Sequence, residues 1–230
     1  MRERVIVFDV NETLLDIEIL NPFFERAFGD AGVMRQWFAE LILYSQALTL
    51  SGTYTPFGQL AVGVLEMVAA IRGTTLLPDN LDEFKDLIGR LPAHQDAAPA
   101  LELLRDAQFR MVTLTNSAPA AAQAVLEQAG LAHYFERQFS VDQVQRFKPA
   151  AEAYASVATA LALDAASLRL VAAHTWDTHG AIAAGWKAAL LTRPGNARLS
   201  IGQRPDIIDS DLLAIARRII TIDANQTAIS

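Results

Sequence analysis

Cysteine is absent from the 230 residues, which excludes disulfides, thiolate metal sites and a cysteine nucleophile. No apolar run approaches the roughly 20 residues that a membrane helix needs. The first strand signal begins almost at Met1, where a secretory leader would require an apolar segment of its own. Basic charge is the scarcer sign: 19 Lys and Arg stand against 26 Asp and Glu, giving a net charge of -7, and Arg217-Arg218 is the only adjacent basic pair. This balance predicts a cytoplasmic protein with neither a nucleic-acid nor a membrane partner. Chemistry is left to oxygen and nitrogen side chains.

What is present is a large apolar fraction, 52% of residues, enough for a substantial core with an inserted subdomain. β-rich runs at 5–8, 111–115, 168–173, 188–192 and, more weakly, 206–208 alternate with helical stretches at 119–128, 151–163 and 209–220. That alternation predicts an α/β fold with a mostly parallel sheet. Ser117 reads as an N-cap and Gly130 as a helix stop. Residues 16–92 break the pattern: Trp37, Leu41, Leu48, Phe57, Leu60, Ala61, Val64, Leu65, Val68, Leu81, Phe84, Leu87 and Ile88 fall at helical spacing, with no convincing strand. A helical cap over 16–92 is therefore expected, with 1–15 and 93–230 forming the core. It would stand over the carboxyl ends of the strands, where open α/β sheets bind ligands.

The strand ends carry the candidate chemistry. The first delivers Asp9, the second Thr115-Asn116-Ser117, and the third His174-Thr175-Trp176-Asp177, while Lys148 precedes Pro149 and a long helix. Singly, an Asp at a strand end is a turn former and a Lys before Pro a solvated charge. Two carboxylates, a lysine, an imidazole and an amide in this order point to one crevice.

The stretches FDVNETLLD, LTNSAP, SVDQVQRFKPAAEAY, WDTHG and LTRPGN, with Trp37, Tyr44 and Phe57, resemble the L-2-haloacid dehalogenases of the haloacid dehalogenase superfamily. The resemblance covers nearly the whole chain. It implies a Rossmann-like core, a helical cap, a homodimer and no cofactor. It also implies hydrolytic dehalogenation of short 2-haloalkanoic acids through an aspartyl ester at Asp9, with haloacid and water as the only partners. Asp9, Lys148, Asp177 and Thr115 stand at catalytic positions. Asn11, Asn116, Trp176, Phe38, Phe57, Tyr44 and Tyr154 stand at positions that bind or flank substrate, with Thr115 and Asn116 orienting Asp9. No metal is implied, since Asn11 stands where magnesium-dependent phosphatases of the superfamily carry a second Asp.

The departures matter as much. Glu12 replaces the family's Gly, His174 its Asn, Phe38 its halide-cradling Arg, and Ala172 a Ser. Glu12 and His174 are expected side by side, Glu12 fixing the imidazole tautomer so that His174 serves as general base toward the hydrolytic water. Arg35 lies three residues from Phe38 and is not expected to take over the halide. The remaining readings are a magnesium-dependent phosphatase and a catalytically retired scaffold.

Overall fold

A computed structural model describes residues 4–225. Six parallel strands form one sheet in the order β3-β2-β1-β4-β5-β6, where β1 is Val5–Phe8, β2 Arg110–Thr115, β3 Arg137–Ser140, β4 Leu168–Ala172, β5 Lys187–Leu191 and β6 Ile207–Asp209. All residues of β1 and β4 are buried, as strands covered on both faces must be. Strand order reverses between β1 and β4, and the crevice above that point is where Asp9 and His174 leave the sheet. This is the α/β fold with a parallel sheet expected from the alternation, and the Rossmann-like core that the resemblance implies.

Four helices follow β1: α1 (Asn21–Phe28), α2 (Val33–Ser51), α3 (Phe57–Arg72) and α4 (Pro78–Ile88). An aromatic cluster holds them together, with Trp37 5.1 Å from Phe84 and 5.7 Å from Phe24 by ring centroids. The Trp37 indole N–H donates to the Ala61 carbonyl at 2.9 Å, which makes this side chain a link between α2 and α3. The two connections to the sheet-bearing part run antiparallel: Asp16 N–H donates to Pro92 O and His94 N–H to Leu14 O, both at 2.8 Å. Asp16 also caps the short 3₁₀ turn that begins the helical segment.

The remaining helices are α5 (Ala97–Asp106), α6 (Pro119–Gln128), α7 (Ala151–Leu161), α8 (Thr175–Ala183) and α9 (Leu212–Asn225). Three sequence expectations need correction. Ser117 is not the N-cap of α6, because Ala118 occupies that position and the Ser117 hydroxyl lies 3.5 Å from Asn11 Nδ2. The last helix starts at Leu212 rather than 209: Asp209 belongs to β6, and the Leu212 N–H is capped by Asp96, distant in sequence, at 2.9 Å. β3 was not foreseen; it is a short edge strand whose outer half, Arg137 and Gln138, is polar and incompletely buried. No helix among the described residues is long and apolar enough to cross a membrane.

Candidate active site

β1 ends on Asp9, which is 5% exposed, and a tight turn follows it, with Leu14 N–H bonded to Val10 O. The turn brings Thr13 back beneath the carboxylate. Its hydroxyl donates to Asp9 Oδ2 at 2.6 Å and accepts from Ala173 N–H at 2.9 Å, tying β1 to β4. Lys148 is buried beside them and spends all three ammonium protons: on Asp9 Oδ1 at 2.8 Å, Asp177 Oδ2 at 2.6 Å and the Leu114 carbonyl at 3.0 Å. Its own N–H is held by Asn116 Oδ1 at 3.0 Å.

Asp177, in the first turn of α8, receives the Tyr154 hydroxyl at 2.6 Å. Gly180 makes room for that ring, since a Cβ there would come within 2.6 Å of the Tyr154 oxygen. On the other side, His174 Nε2 meets Glu12 Oε2 at 2.7 Å, and the second Glu12 oxygen receives Arg35. His174 Nδ1 faces Asp9 Oδ2 at 3.5 Å without a hydrogen bond. Trp176 stacks on the imidazole at 5.1 Å, and the Phe38 ring lies 5.4 Å from it.

The charges can be ordered. Burial alone would raise the Asp9 carboxyl, but Lys148 and His174 outweigh it and hold Asp9 well below the usual range. For Lys148 the two carboxylates overcome burial and raise the ammonium. Asp177 is raised, by burial and by Asp9, against the pull of Lys148. Burial disfavours the His174 imidazolium, yet Asp9 and Glu12 push the group up to about 9. Glu12 is lowered against burial by His174 and Arg35. The cluster therefore rests with Asp9, Glu12 and Asp177 facing Lys148, Arg35 and a protonated His174. An imidazolium has no lone pair to offer, so a role for His174 toward water requires that it first lose a proton.

Several predicted positions differ in detail. Thr115 accepts from the Ser117 N–H at 3.1 Å, and the hydroxyl that orients Asp9 is Thr13, which sequence reasoning missed although it lies within the FDVNETLLD stretch. Tyr154 is fully buried on Asp177 and does not reach the cavity. Tyr44 is 39% exposed on α2 and lies outside the cavity lining. Asn11, Phe38 and Phe57 do line it: an apolar cavity of about 690 Å³ runs from Asn11 and Ser117 outward between α2, α3 and α6. A second cavity of about 540 Å³, lined in part by charged side chains, lies behind Glu12 and Arg35. Among the described residues no group of acids and histidines is arranged to hold a metal ion.

Known proteins carry similar sequence and architecture. The family profile described as haloacid dehalogenase-like hydrolase matches residues 3–185. An (S)-2-haloacid dehalogenase of Xanthobacter autotrophicus is 30% identical over 194 residues, covering 83% of this chain and 75% of that protein. (S)-2-haloacid dehalogenase 2 of Pseudomonas sp. strain CBS-3 is 27% identical over 211 residues, 91% of this chain and 92% of the relative. The structure of L-2-haloacid dehalogenase from Xanthobacter autotrophicus superposes with a TM-score of 0.88 at 25% identity, covering 96% of this chain and 99% of that one. With a matching profile over most of its length and a sheet whose switch point carries a buried Asp-Lys-Asp cluster, the chain belongs to the L-2-haloacid dehalogenase family of haloacid dehalogenase-like hydrolases.

Proposed function

We propose that the protein hydrolyses short 2-haloalkanoic acids to 2-hydroxy acids through an ester on Asp9, without a metal, and that residues 16–92 cap the crevice. The observation that carries this reading is the Asp9 carboxylate: buried, held by Thr13 and Lys148, and faced by a histidine nitrogen at 3.5 Å. Substrate is an anion, so it approaches Asp9 only where positive charge offsets the repulsion. Lys148 and the protonated His174 supply that charge. The N-terminal end of α6, beside Asn11, suits the substrate carboxylate.

In the first step an Asp9 oxygen forms a bond to C2 and the carbon–halogen pair leaves with the halide. Attack proceeds in a dry site because the water around the carboxylate is replaced by fixed donors. Alkylation also removes the charge of Asp9. His174 then loses one of the two carboxylates that hold its proton, and its basicity falls. The Nδ1 proton passes to solvent, as the net reaction's released proton, and the neutral Nδ1 then accepts a proton from water attacking the Asp9 ester carbon, while Glu12 keeps the other nitrogen protonated. The bond between the Asp9 acyl carbon and the product oxygen breaks, the product oxygen takes that proton from His174, and the second water proton, left on the Asp9 carboxyl, passes to His174, which restores the Asp9 carboxylate and the imidazolium.

Halide release from bromoacetate and from each enantiomer of 2-chloropropionate tests the reading. Release that favours the L enantiomer and persists in excess EDTA is expected; silence on all three substrates, or loss restored by magnesium, sinks it. His174→Ala should still alkylate but accumulate the ester, visible as an adduct on Asp9 by mass spectrometry, with turnover down about 100-fold or more. By the same family resemblance the working form is a homodimer, a state that sedimentation in solution checks.

A further inference from the structure

Glu12 is an unusual residue for its place. Its φ of 65° is in the left-handed region, which disfavours any residue with a Cβ. Strain of that kind persists where surrounding contacts over-determine it. One carboxylate oxygen meets His174, and the other receives Arg35 Nη1 from the first turn of α2. The second arginine nitrogen, Nη2, donates to the Pro194 carbonyl at 3.1 Å and lies 3.3 Å from Glu18 Oε1. The loop after β5 is shaped for this guanidinium: a Cβ on Gly195 would stand 3.0 Å from Arg35 Cζ and 3.1 Å from its Nε. Three separate segments therefore fix one planar cation against one carboxylate, the geometry that arginine serves and lysine does not.

We propose that Arg35 is a positioning residue for ester hydrolysis, holding the Glu12 carboxylate against His174 from α2 and offsetting part of its negative charge. The inference rests on His174 being the water-activating base. His174 is faced by Asp9 and Glu12, with Lys148 beyond Asp9 and the uncharged rings of Trp176 and Phe38 alongside. Glu12 is faced by His174 and Arg35, and its carbonyl by His94; Asp16, Glu18, Asp96 and Arg193 line the cavity behind it. Both carboxylates favour the imidazolium. In the ester Asp9 is neutral, so Glu12 alone sustains the proton, and Arg35 is the cation beside Glu12 that opposes this. Without Arg35 the histidine keeps its proton to higher pH, because the cation that offsets the Glu12 charge is gone.

The test separates the two chemical steps. Single-turnover halide release and ester loss are followed in Arg35→Met and Arg35→Lys from about pH 5 to about pH 10. In Arg35→Met the halide burst persists, ester loss slows about 10-fold, and its acid limb moves up by roughly half a unit or more. Arg35→Lys returns the limb toward that of the unaltered protein without the full rate, since it keeps the charge and loses the fork. Ester loss in Arg35→Met that stays within about twofold, or that slows equally at every pH with the limb unmoved, overturns the proposal. His174→Ala distinguishes the two levels. If that variant accumulates ester while Arg35→Met clears it normally, Arg35 alone fails; if His174→Ala clears ester at the usual rate, the base assignment fails and takes Arg35 with it.

Discussion

Asp9→Asn is expected to abolish halide release from every haloacid, by at least about 10⁴-fold, because it removes the nucleophile rather than a group that helps it. The substitution is nearly isosteric, and Lys148 keeps its contacts with Asp177 and Leu114 O, so the fold should survive. A sharper measurement separates attack by Asp9 from direct attack by water. One turnover in ¹⁸O-enriched water should place the label in the Asp9 carboxylate and leave the first product molecule unlabelled, because the product's new oxygen comes from Asp9. Label in that first product would assign the attack to water and reduce Asp9 to a base. The resting charges favour the first outcome. A carboxylate held well below its usual range by Lys148 and His174 is a poor base, yet it remains ionised and aimed.

Much of this site was readable because strand ends are punctuated by polar residues after apolar runs. Val5–Phe8 is uniformly apolar and stops at Asp9, and Leu168–Ala172 leads to His174 in the same way, so both side chains had to emerge in the crevice. The bounds of α6 were equally plain, with proline at its start and Gly130 just beyond its end. Less legible were contacts that depend on tertiary approach. Thr13 orients Asp9 through a turn whose closure cannot be read from spacing, and Arg35 finds Glu12 through the loop at Pro194 and Gly195. The pairing of Glu12 with His174 was legible, because the two residues follow the neighbouring strands β1 and β4. β3 escaped because an edge strand needs an apolar stretch on one face only, and four residues are too few to reveal alternation.

Lys148→Met tests what the buried cation does for the fold as well as for the chemistry. The methylene stem is conserved, but Asp9 and Asp177 lose the ammonium that lies 2.8 and 2.6 Å from them, and each is almost wholly inaccessible to water. Removing one partner of a buried ion pair costs about 3–5 kcal/mol, mainly through the charge left behind. The expected variant is less stable by that order at neutral pH and releases no halide. The sign of the pH dependence follows from the carboxylates. In the unaltered protein Asp9 is depressed below its free value of 3.8, so its share of stability is complete above that value and lost as acid protonates it. In the variant Asp177, already raised by burial and by Asp9, loses the ammonium that opposes both, so the deficit grows as pH rises and shrinks from about pH 7 toward about pH 5 as that carboxyl becomes easier to protonate. Urea unfolding midpoints at the two ends of that range should show a deficit that is smaller in acid. Adding Asp9→Asn to Lys148→Met should recover part of the loss at neutral pH, because one of the two stranded charges is gone and the other retains Tyr154 as a donor. A deficit independent of pH, unrelieved in the double variant, would mean that Lys148 acts through packing of its stem and that the charges around it are compensated elsewhere.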